Sequence, residues 1–255
     1  MDLVTVQSAR VARERDDLRL APGEVVSGGG TWGYSEPQDA TGIVDLLGLG
    51  WEPVTRTPDT LVIAATCTIE TLRGLDPFFE QYADSLLASW KIQRIATVGG
   101  NIALSLPAGP MTSLAVALDA TLVLWTASEE RRVPAESFVT GVRQNILRPG
   151  EVLRAIELPL ASLHRTAFRR IALSPLGRTG TLVTGRTDAT GATVLSVTGG
   201  TTRPHRLAFD APPTAAQVAA SVDSIDDWYL DAHGSPDWRR AMSLAFAEEI
   251  RAELA

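Results

Sequence analysis

The stretch RIATVGGNIALSLPAGPMTSLAVALDATLVL, from Arg94 to Leu124, places a Gly-Gly-Asn turn between two apolar runs. A second glycine-rich turn lies upstream in VVSGGGTWG, from Val25 to Gly33. Glycine has no Cβ, so it reaches positive φ cheaply and lets backbone N–H groups approach a ligand closely. Successive N–H groups of this kind form nests that bind phosphate without a lysine. Two such turns facing one another would hold a diphosphate, although a single glycine-rich turn is most often only a tight turn. Neither turn contains the Gly-Lys-Ser/Thr of a P-loop.

The composition is that of a globular protein with an acidic balance. The 255 residues are 45% hydrophobic and 21% charged, with a formal net charge of −7, and a chain of this length can bury a large core as one or two domains. The negative balance argues against non-specific nucleic-acid binding, which uses basic stripes. No apolar run has membrane-spanning length and the N-terminus has no signal-peptide core, so we expect a cytoplasmic protein without membrane insertion.

Cysteine and histidine are too few and too scattered for a metal centre. Cys67 is the only cysteine, whereas an iron–sulfur cluster needs several cysteine thiolates. The three histidines, His164, His205 and His233, show no metal-ligand spacing. We therefore expect no metal site, no internal disulfide and no iron–sulfur cluster in this chain.

Strand signals alternate with helix signals as far as about Leu160. Apolar and β-branched runs predict strands at 24–27, 42–46, 60–67, 121–127 and 151–160. Helices are predicted at 68–75, 76–90, 111–120 and 133–142. In the second of these, Asp76 is the expected N-cap, and an apolar residue at every fourth position up to Trp90 predicts one buried helix face.

Beyond Leu160 the pattern changes. Three strands of an antiparallel meander are predicted at 166–173, 180–188 and 192–207, with a tight turn at Asp188–Gly191. Two helices close the chain, the last with Ser235 as N-cap, and its expected buried stripe is Trp238, Met242, Phe246 and Ile250. The whole is therefore α+β, with a boundary near residues 160–166.

Four motifs together resemble one family. They are VVSGGGTWGYSEP (25–37), ATVGGNIALSLPAG (96–109), LRPGEVLRAIELP (147–159) and AFRRIALSPLGR (167–178), and they occur in the family's order and spacing. They resemble the FAD-binding (medium) subunits of molybdenum hydroxylases, the group that includes carbon monoxide dehydrogenase, xanthine dehydrogenase and aldehyde oxidase. The resemblance implies a vanillyl-alcohol-oxidase-like (PCMH-type) FAD-binding domain at residues 1–162. A C-terminal domain of a small antiparallel sheet with helices would follow at residues 163–255.

The resemblance also implies which residues bind the cofactor. Two glycine turns would line the FAD diphosphate and ribityl chain, a leucine would pack against the flavin nucleotide and an arginine would reach the cofactor. These residues are Gly28, Gly29, Gly30, Thr31, Trp32, Thr97, Val98, Gly99, Gly100, Asn101, Leu153 and Arg169. No residue is expected to act as a general acid or base.

The sequence departs from the family pattern at three places. The second turn of the family usually continues as Pro-Ala-Ala-Asp, whereas this chain has Pro107-Ala108-Gly109-Pro110 and lacks the carboxylate. In the first turn Gly28 replaces a usual alanine and Gly33 a usual apolar residue. Weaker FAD binding, or a shifted position of the cofactor, is the expectation from these departures.

The function implied by the resemblance is electron transfer. The FAD would take electrons from the [2Fe–2S] clusters of a small partner subunit and pass them to an external acceptor, while a large molybdopterin subunit oxidises the organic substrate. A dimer of heterotrimers is the expected assembly. Two alternatives stay open at this point: a stand-alone FAD oxidoreductase of the same superfold, and a flavin-free assembly subunit.

Overall fold

A computed structural model describes residues 3–255. Its strands are β1 (Ser8–Val11), β2 (Glu24–Ser27), β3 (Gly42–Asp45), β4 (Val54–Arg56), β5 (Thr60–Ala64), β6 (Thr121–Trp125), β7 (Glu130–Pro134), β8 (Val139–Gly141), β9 (Gln144–Asn145), β10 (Val152–Pro159), β11 (Arg165–Ile171), β12 (Thr181–Thr187), β13 (Thr193–Thr198) and β14 (His205–Phe209). Its α-helices are α1 (Ile69–Arg73), α2 (Pro77–Ser85), α3 (Trp90–Gln93), α4 (Val98–Leu104), α5 (Pro110–Ala117), α6 (Ala215–Asp223) and α7 (Pro236–Leu254). Short 3₁₀ helices occupy Arg15–Leu18, Leu46–Leu49, Ala135–Ser137 and Leu160–Leu163. None of the helices in these residues is long and apolar enough to cross a bilayer.

The strands of the described chain form separate sheets. A parallel sheet has the order β1-β3-β2, and an antiparallel sheet has the order β4-β5-β10-β6-β7. The C-terminal part contributes an antiparallel meander in the order β11-β12-β13-β14, and β8 pairs with β9. The mixture of parallel and antiparallel sheets with helices confirms the α+β class expected from the sequence.

The parallel sheet carries the first glycine turn. Strand β2 ends at Ser27, and the turn begins at the next residue. An ion pair holds β1 to β2 across the intervening strand, because the Arg10 guanidinium donates to both carboxylate oxygens of Glu24 at 2.9 and 2.8 Å. This bidentate geometry is the strong form of the arginine–carboxylate contact. The ion pair therefore anchors the first residue of β2, the strand that leads into the turn.

The second glycine turn lies at the start of α4, beside the five-stranded sheet. Thr97 is the N-cap of this helix, and its hydroxyl accepts a hydrogen bond from the Gly100 amide at 3.1 Å. Strand β10 is the central strand of the sheet and has a β-bulge between Leu153 and Ala155. Leu153 and Ile102 belong to the same buried apolar cluster, which therefore joins the sheet to α4.

The C-terminal sheet has helices on both faces. Val183 of β12 belongs to the apolar cluster that packs against α6 and α7, whereas its neighbour Leu182 belongs to the N-terminal cluster. On the second face α5 contacts β12 and β13, and the Ser113 and Thr198 hydroxyl oxygens lie 2.7 Å apart. A sheet covered on both faces explains why β12 and β13 are buried along their whole length.

The helix that begins after Asp76 is shorter than predicted. The Asp76 cap is confirmed, since its side chain accepts from the Phe78 amide at 2.7 Å. However, α2 ends at Ser85, and Leu87 has a φ of +55°. Trp90 starts a new short helix and is 63% exposed, so its predicted place on the buried face is wrong.

The last helix begins where predicted, but its buried face is turned by one residue. Ser235 caps the helix through the Trp238 amide. The buried residues are Arg239, Ser243, Ala247, Ile250 and Leu254. Ile250 of the predicted stripe is buried as expected, but Trp238, Met242 and Phe246 are only half-buried. The charged Arg239 and the hydroxyl residue Ser243 are buried instead. The third predicted meander strand is also divided, into β13 and β14, by a turn at Gly199 with a φ of +77°.

Candidate functional site

A cavity of about 810 Å³ lies between the parallel sheet, the five-stranded sheet and the C-terminal meander. The first glycine turn and the second glycine turn line it together with residues from the end of α2, from β10 and from the C-terminal part. A volume of this order is typical of sites for cofactors and other small molecules. The cavity therefore brings distant parts of the sequence to one place.

The first turn offers a row of free backbone donors. The amides of residues 28–32 have no hydrogen-bond acceptor within the described part of the chain, and Gly30 has a φ of +67°. The indole Nε1 of Trp32 is buried and also lacks an acceptor there. Buried donors of this kind are costly unless a partner satisfies them. Adjacent unpaired N–H groups beside a cavity are the donor set that an anion requires.

The two glycine turns touch each other. A Cβ on Gly28 would lie 2.7 Å from the Thr97 hydroxyl oxygen, and one on Gly29 would overlap the Ile95 carbonyl. Glycine is thus required at both positions so that the first turn can pack against the segment that leads into the second. Both turns line the same cavity, and their glycines also serve this contact between turns.

The second turn differs from the expected nest of free amides. Its amides are bonded within the protein: Val98 to the Cys67 carbonyl, Gly99 to the Ala65 carbonyl, Gly100 to the Thr97 hydroxyl and Asn101 to the Thr97 carbonyl. The turn instead presents the Asn101 side chain, whose Oδ1 accepts from the Met111 amide at 3.0 Å. Its Nδ2 group has no acceptor among residues 3–255 and can donate to a ligand.

The structure brings most of the predicted site residues together. Those that line the cavity are Gly28, Gly29, Gly30, Thr31, Trp32, Thr97, Gly99, Gly100, Asn101 and Leu153. Leu153 is buried on β10, so it offers an apolar surface between the polar turns. Ten predicted residues from three separate segments thus meet in one place.

Two predicted residues lie elsewhere. Val98 is buried in the apolar core and is not part of the cavity wall. Arg169 extends from β11 to the surface of α7, where it donates to Glu249 at 2.8 Å and to Glu253 at 2.7 Å. An arginine paired in this way with two carboxylates has no free donor directed at the cavity. The structure therefore gives neither residue a contact with the site.

The C-terminal wall of the cavity was not found from the sequence. It consists of Arg178, Thr179, Gly199, Tyr229 and Asp231. These residues lie in connections between elements, where hydrophobic periodicity does not mark them, and of the five only Arg178 stands in one of the four motifs. The short bridge that pairs Thr201 with Trp228 helps to bring these connections together.

Few charged groups line the cavity within the described residues. They are Arg143, Arg178 and Asp231, and Arg143 lies 3.6 Å from the Glu36 carboxylate. Cys67 lies behind the second turn, where burial raises the pKa of its thiol to about 12, so it stays protonated and is no nucleophile. The described residues contain no cluster of histidine, cysteine, aspartate or glutamate that could hold a metal ion.

These groups fit a flavin dinucleotide. The unpaired amides of residues 28–32 and the orphaned Trp32 Nε1 match the acceptor oxygens of a diphosphate. Leu153 and Leu104 supply apolar wall for a planar ring, and Asn101 supplies an amide donor. A basic side chain is not needed for the diphosphate, because several main-chain dipoles share its charge.

Comparisons with known proteins point to the same cofactor. Residues 20–161 match the family described as "FAD binding domain in molybdopterin dehydrogenase". The glyceraldehyde dehydrogenase medium chain of Sulfolobus acidocaldarius is 29% identical over 90 residues, which cover 35% of this chain. The match spans only 32% of the length of that relative.

Solved structures show that the fold extends beyond the matched segment. A reconstituted carbon monoxide dehydrogenase from Oligotropha carboxidovorans superposes with a TM-score of 0.84 at 21% identity, covering 99% of both chains. Quinoline 2-oxidoreductase from Pseudomonas putida 86 gives a TM-score of 0.83 at 18% identity, covering 100% of this chain and 98% of the other. Both the cavity-forming sheets and the C-terminal meander therefore belong to a shared fold.

Proposed function

The chain belongs to the family of FAD binding domains in molybdopterin dehydrogenases, and from that premise we propose that it is the FAD-carrying electron-transfer subunit of a molybdenum hydroxylase complex. In this proposal it takes electrons from [2Fe–2S] clusters of a small partner subunit and passes them to an external acceptor. A large molybdopterin subunit oxidises the organic substrate. The relative named as a medium chain supports a role as one subunit among several.

The observation that carries the proposal is the row of unpaired amides at residues 28–32 beside a cavity of about 810 Å³. In the proposed complex these amides and the Trp32 Nε1 donate to the diphosphate of FAD, and Asn101 Nδ2 donates to the same ligand. Leu153 packs against the flavin nucleotide. FAD supplies the redox chemistry when bound, and the residues of this chain bind it, orient it and exclude water around it.

The cavity wall favours electron transfer over a stand-alone oxidase. An oxidase that removes a proton from an organic substrate needs a base beside the flavin. Among residues 3–255 no histidine, glutamate or lysine lines the cavity, and the one carboxylate on its wall, that of Asp231, is paired with the Arg239 guanidinium. The Cys67 thiol is buried. Electron transfer between redox centres requires no such base. The flavin-free assembly subunit is disfavoured because it would leave the donors of the first turn unsatisfied.

Co-expression with candidate small and large partner chains tests the proposal. We expect a purified complex with one FAD for each copy of this chain, whose flavin absorbance bleaches when a substrate of the large subunit is added under anaerobic conditions. We expect the chain purified alone to bind FAD but to show no bleaching with the same substrate. A chain that does not bind added FAD would contradict the proposal, and bleaching without partners would favour the stand-alone oxidase.

The remaining parts of the proposal are its assembly and its domain division. We propose a dimer of heterotrimers in the cytoplasm, and a division at residues 1–162 and 163–255. The mass of the purified complex in solution measures the first. Limited proteolysis near residues 160–166, followed by measurement of FAD binding to the fragments, examines the second.

A further inference from the structure

Arg239 is a fully buried arginine behind the C-terminal wall of the cavity. It lies on α7 and is 1% exposed. Its guanidinium donates to the Gly199 carbonyl at 2.7 Å, to the Gly234 carbonyl at 3.1 Å and to the carboxylate of Asp231. A planar guanidinium with several fixed acceptors holds its partners in one arrangement. Since Gly199 and Asp231 both line the cavity, this single side chain positions two parts of its wall.

One carboxylate oxygen of Asp231 receives no hydrogen bond from the described residues. Its Oδ1 accepts both from Arg239 and from the His233 amide, the latter at 2.7 Å. Its Oδ2 receives no hydrogen bond from any residue of the described chain. An ionised carboxylate is an acceptor only. A free acceptor on a residue of the cavity wall can receive a ligand O–H or N–H group, and it would repel a phosphate.

The same carboxylate is connected to the segment that follows the second glycine turn. The Gly199 amide donates to the Pro107 carbonyl at 3.0 Å, and the Gly199 carbonyl accepts from Arg239. Pro107 opens the stretch in which the family pattern has an aspartate and this chain has Gly109 and Pro110 instead. Two hydrogen bonds and one ion pair thus link Asp231 to the place where a carboxylate is missing from the sequence.

We propose that Asp231 is a further FAD-binding residue, supplying from the C-terminal wall the carboxylate that the second turn lacks. Its Oδ2 accepts a hydrogen bond from a donor in the flavin half of FAD, either a ribityl hydroxyl or the ring imide N–H. Arg239 is a positioning residue that orients Asp231 without touching the cofactor. The inference rests on the proposed FAD binding. It assigns the diphosphate to the amides of residues 28–32 and the flavin half to the side of Asp231.

The variant Asp231→Asn tests this assignment in the full chain. Asparagine keeps one oxygen for Arg239 and for the His233 amide but replaces the free acceptor by a donor. We expect its affinity for FAD to fall about tenfold, the size of effect that follows from losing a hydrogen bond to a charged group. Its affinity for ADP, which has the diphosphate but no flavin, should stay within twofold of the unmodified chain.

Asp226→Asn is the matched control. Asp226 lies on the same connecting segment but is exposed and does not line the cavity, so both affinities should be unchanged. Asp231→Glu, which keeps the negative charge opposite Arg239 but moves the carboxylate, should weaken FAD and spare ADP in the same way. The glutamate variant still tests the proposal if the asparagine variant does not fold. Because Arg239 is proposed to orient Asp231, the variant Arg239→Lys should also change the ratio of the FAD and ADP affinities.

The results separate this inference from the proposed function. An unmodified chain that binds neither FAD nor ADP overturns both. If the unmodified chain binds FAD and the affinity of the Asp231→Asn variant for FAD is within twofold of that of the unmodified chain, only the role of Asp231 is overturned. An equal fall in FAD and ADP affinity also overturns it, because a loss of cavity structure would weaken both nucleotides.

Discussion

The indole of Trp32 carries a buried Nε1–H with no acceptor among the described residues, at the wall of the cavity. In a folded protein without ligand this group is a net cost, since burial removes it from water and nothing replaces the lost hydrogen bonds. We expect the same group to donate to a bound diphosphate. A residue that costs stability in one state and contributes affinity in the other is a signature of a binding role.

Trp32→Phe should separate these two effects. We expect the unfolding temperature of the ligand-free variant to be unchanged or slightly raised, because an unsatisfied buried donor is removed. Its affinity for FAD should fall by about five- to tenfold, corresponding to a hydrogen bond to a charged acceptor. Calorimetric titration and thermal unfolding measure the two quantities. The control is Trp90→Phe, at an exposed indole outside the cavity wall, which should alter neither quantity. A Trp32→Phe variant that is destabilised but binds FAD with unchanged affinity would show that Trp32 is only a packing residue.

At the scale of single residues, the sequence predicted which residues come together where a motif is continuous. Residues 28–32 and Thr97, Gly99, Gly100 and Asn101 lie together at the cavity. It was unsuccessful where the role depends on pairing in space. Arg169 is engaged by two glutamates of α7, and Asp231 of the cavity wall is paired with Arg239. No spacing rule along the chain encodes either contact.

The strands and helices were predicted best where local signals agree with the packing. Strand β10 was found almost to the residue because its apolar run ends at a proline, and α7 was found because Ser235 and Pro236 mark its start. The buried face of α7 was predicted correctly only at Ile250, because Arg239 and Ser243 also belong to it. Arg239 is buried with three acceptors, and the Ser243 hydroxyl oxygen lies 2.7 Å from that of Thr181. Polar residues paired with partners elsewhere in the fold do not appear in a hydrophobic pattern.

The contact between α7 and β12 depends on a glycine. A Cβ on Gly185 would overlap Ile250 and lie 2.9 Å from both Leu195 and Leu254. We expect Gly185→Ala to lower the free energy of unfolding by about 1–3 kcal/mol through overpacking. Urea titration measures the change. The control is Gly74→Ala, where φ is −77° and the nearest atom to a Cβ is 3.7 Å away, so stability should be equal or slightly higher. Equal stability of the two variants would show that α7 moves away at no cost.

The Arg10–Glu24 pair gives the parallel sheet a dependence on pH. The hydrogen bonds from Arg10 lower the pKa of Glu24 from 4.5 to about 2. A carboxyl whose pKa is lower in the folded state stabilises the fold above its unfolded pKa, and this contribution is lost as the pH falls through the folded value. We therefore expect stability from this pair to be complete above about pH 4.5 and to decline towards pH 2.

Glu24→Gln should lower the free energy of unfolding at neutral pH and show a weaker loss of stability on acidification through that window. Chemical denaturation at a series of pH values measures both. Glu52→Gln, at an exposed carboxylate, is the control and should keep the pH profile of the unmodified chain. An unchanged acid profile in Glu24→Gln would mean that other carboxylates dominate it.

At the scale of the whole molecule, the cavity lies where an N-terminal and a C-terminal core meet. Polar contacts cross between them: the Tyr82 hydroxyl lies 2.5 Å from that of Thr184, and Asp119 pairs with Arg186 and Arg206. The sequence predicted both parts but not their contact, because each of these pairs joins residues far apart along the chain. A ligand that spans the cavity touches both parts, so bound FAD should stabilise the whole chain by about 2.7 kcal/mol at a concentration a hundredfold above its Kd.

Hydrogen exchange of individual backbone amides, measured with and without saturating FAD, examines the central claim most directly. That claim is that the free amides of residues 28–32 bind the diphosphate, whereas the amides of residues 98–101 are already bonded within the protein. We expect FAD to slow exchange strongly at residues 28–32 and to change it much less at residues 98–101. Exchange at residues 28–32 that is the same with and without FAD, in a chain shown to bind it, would contradict the account.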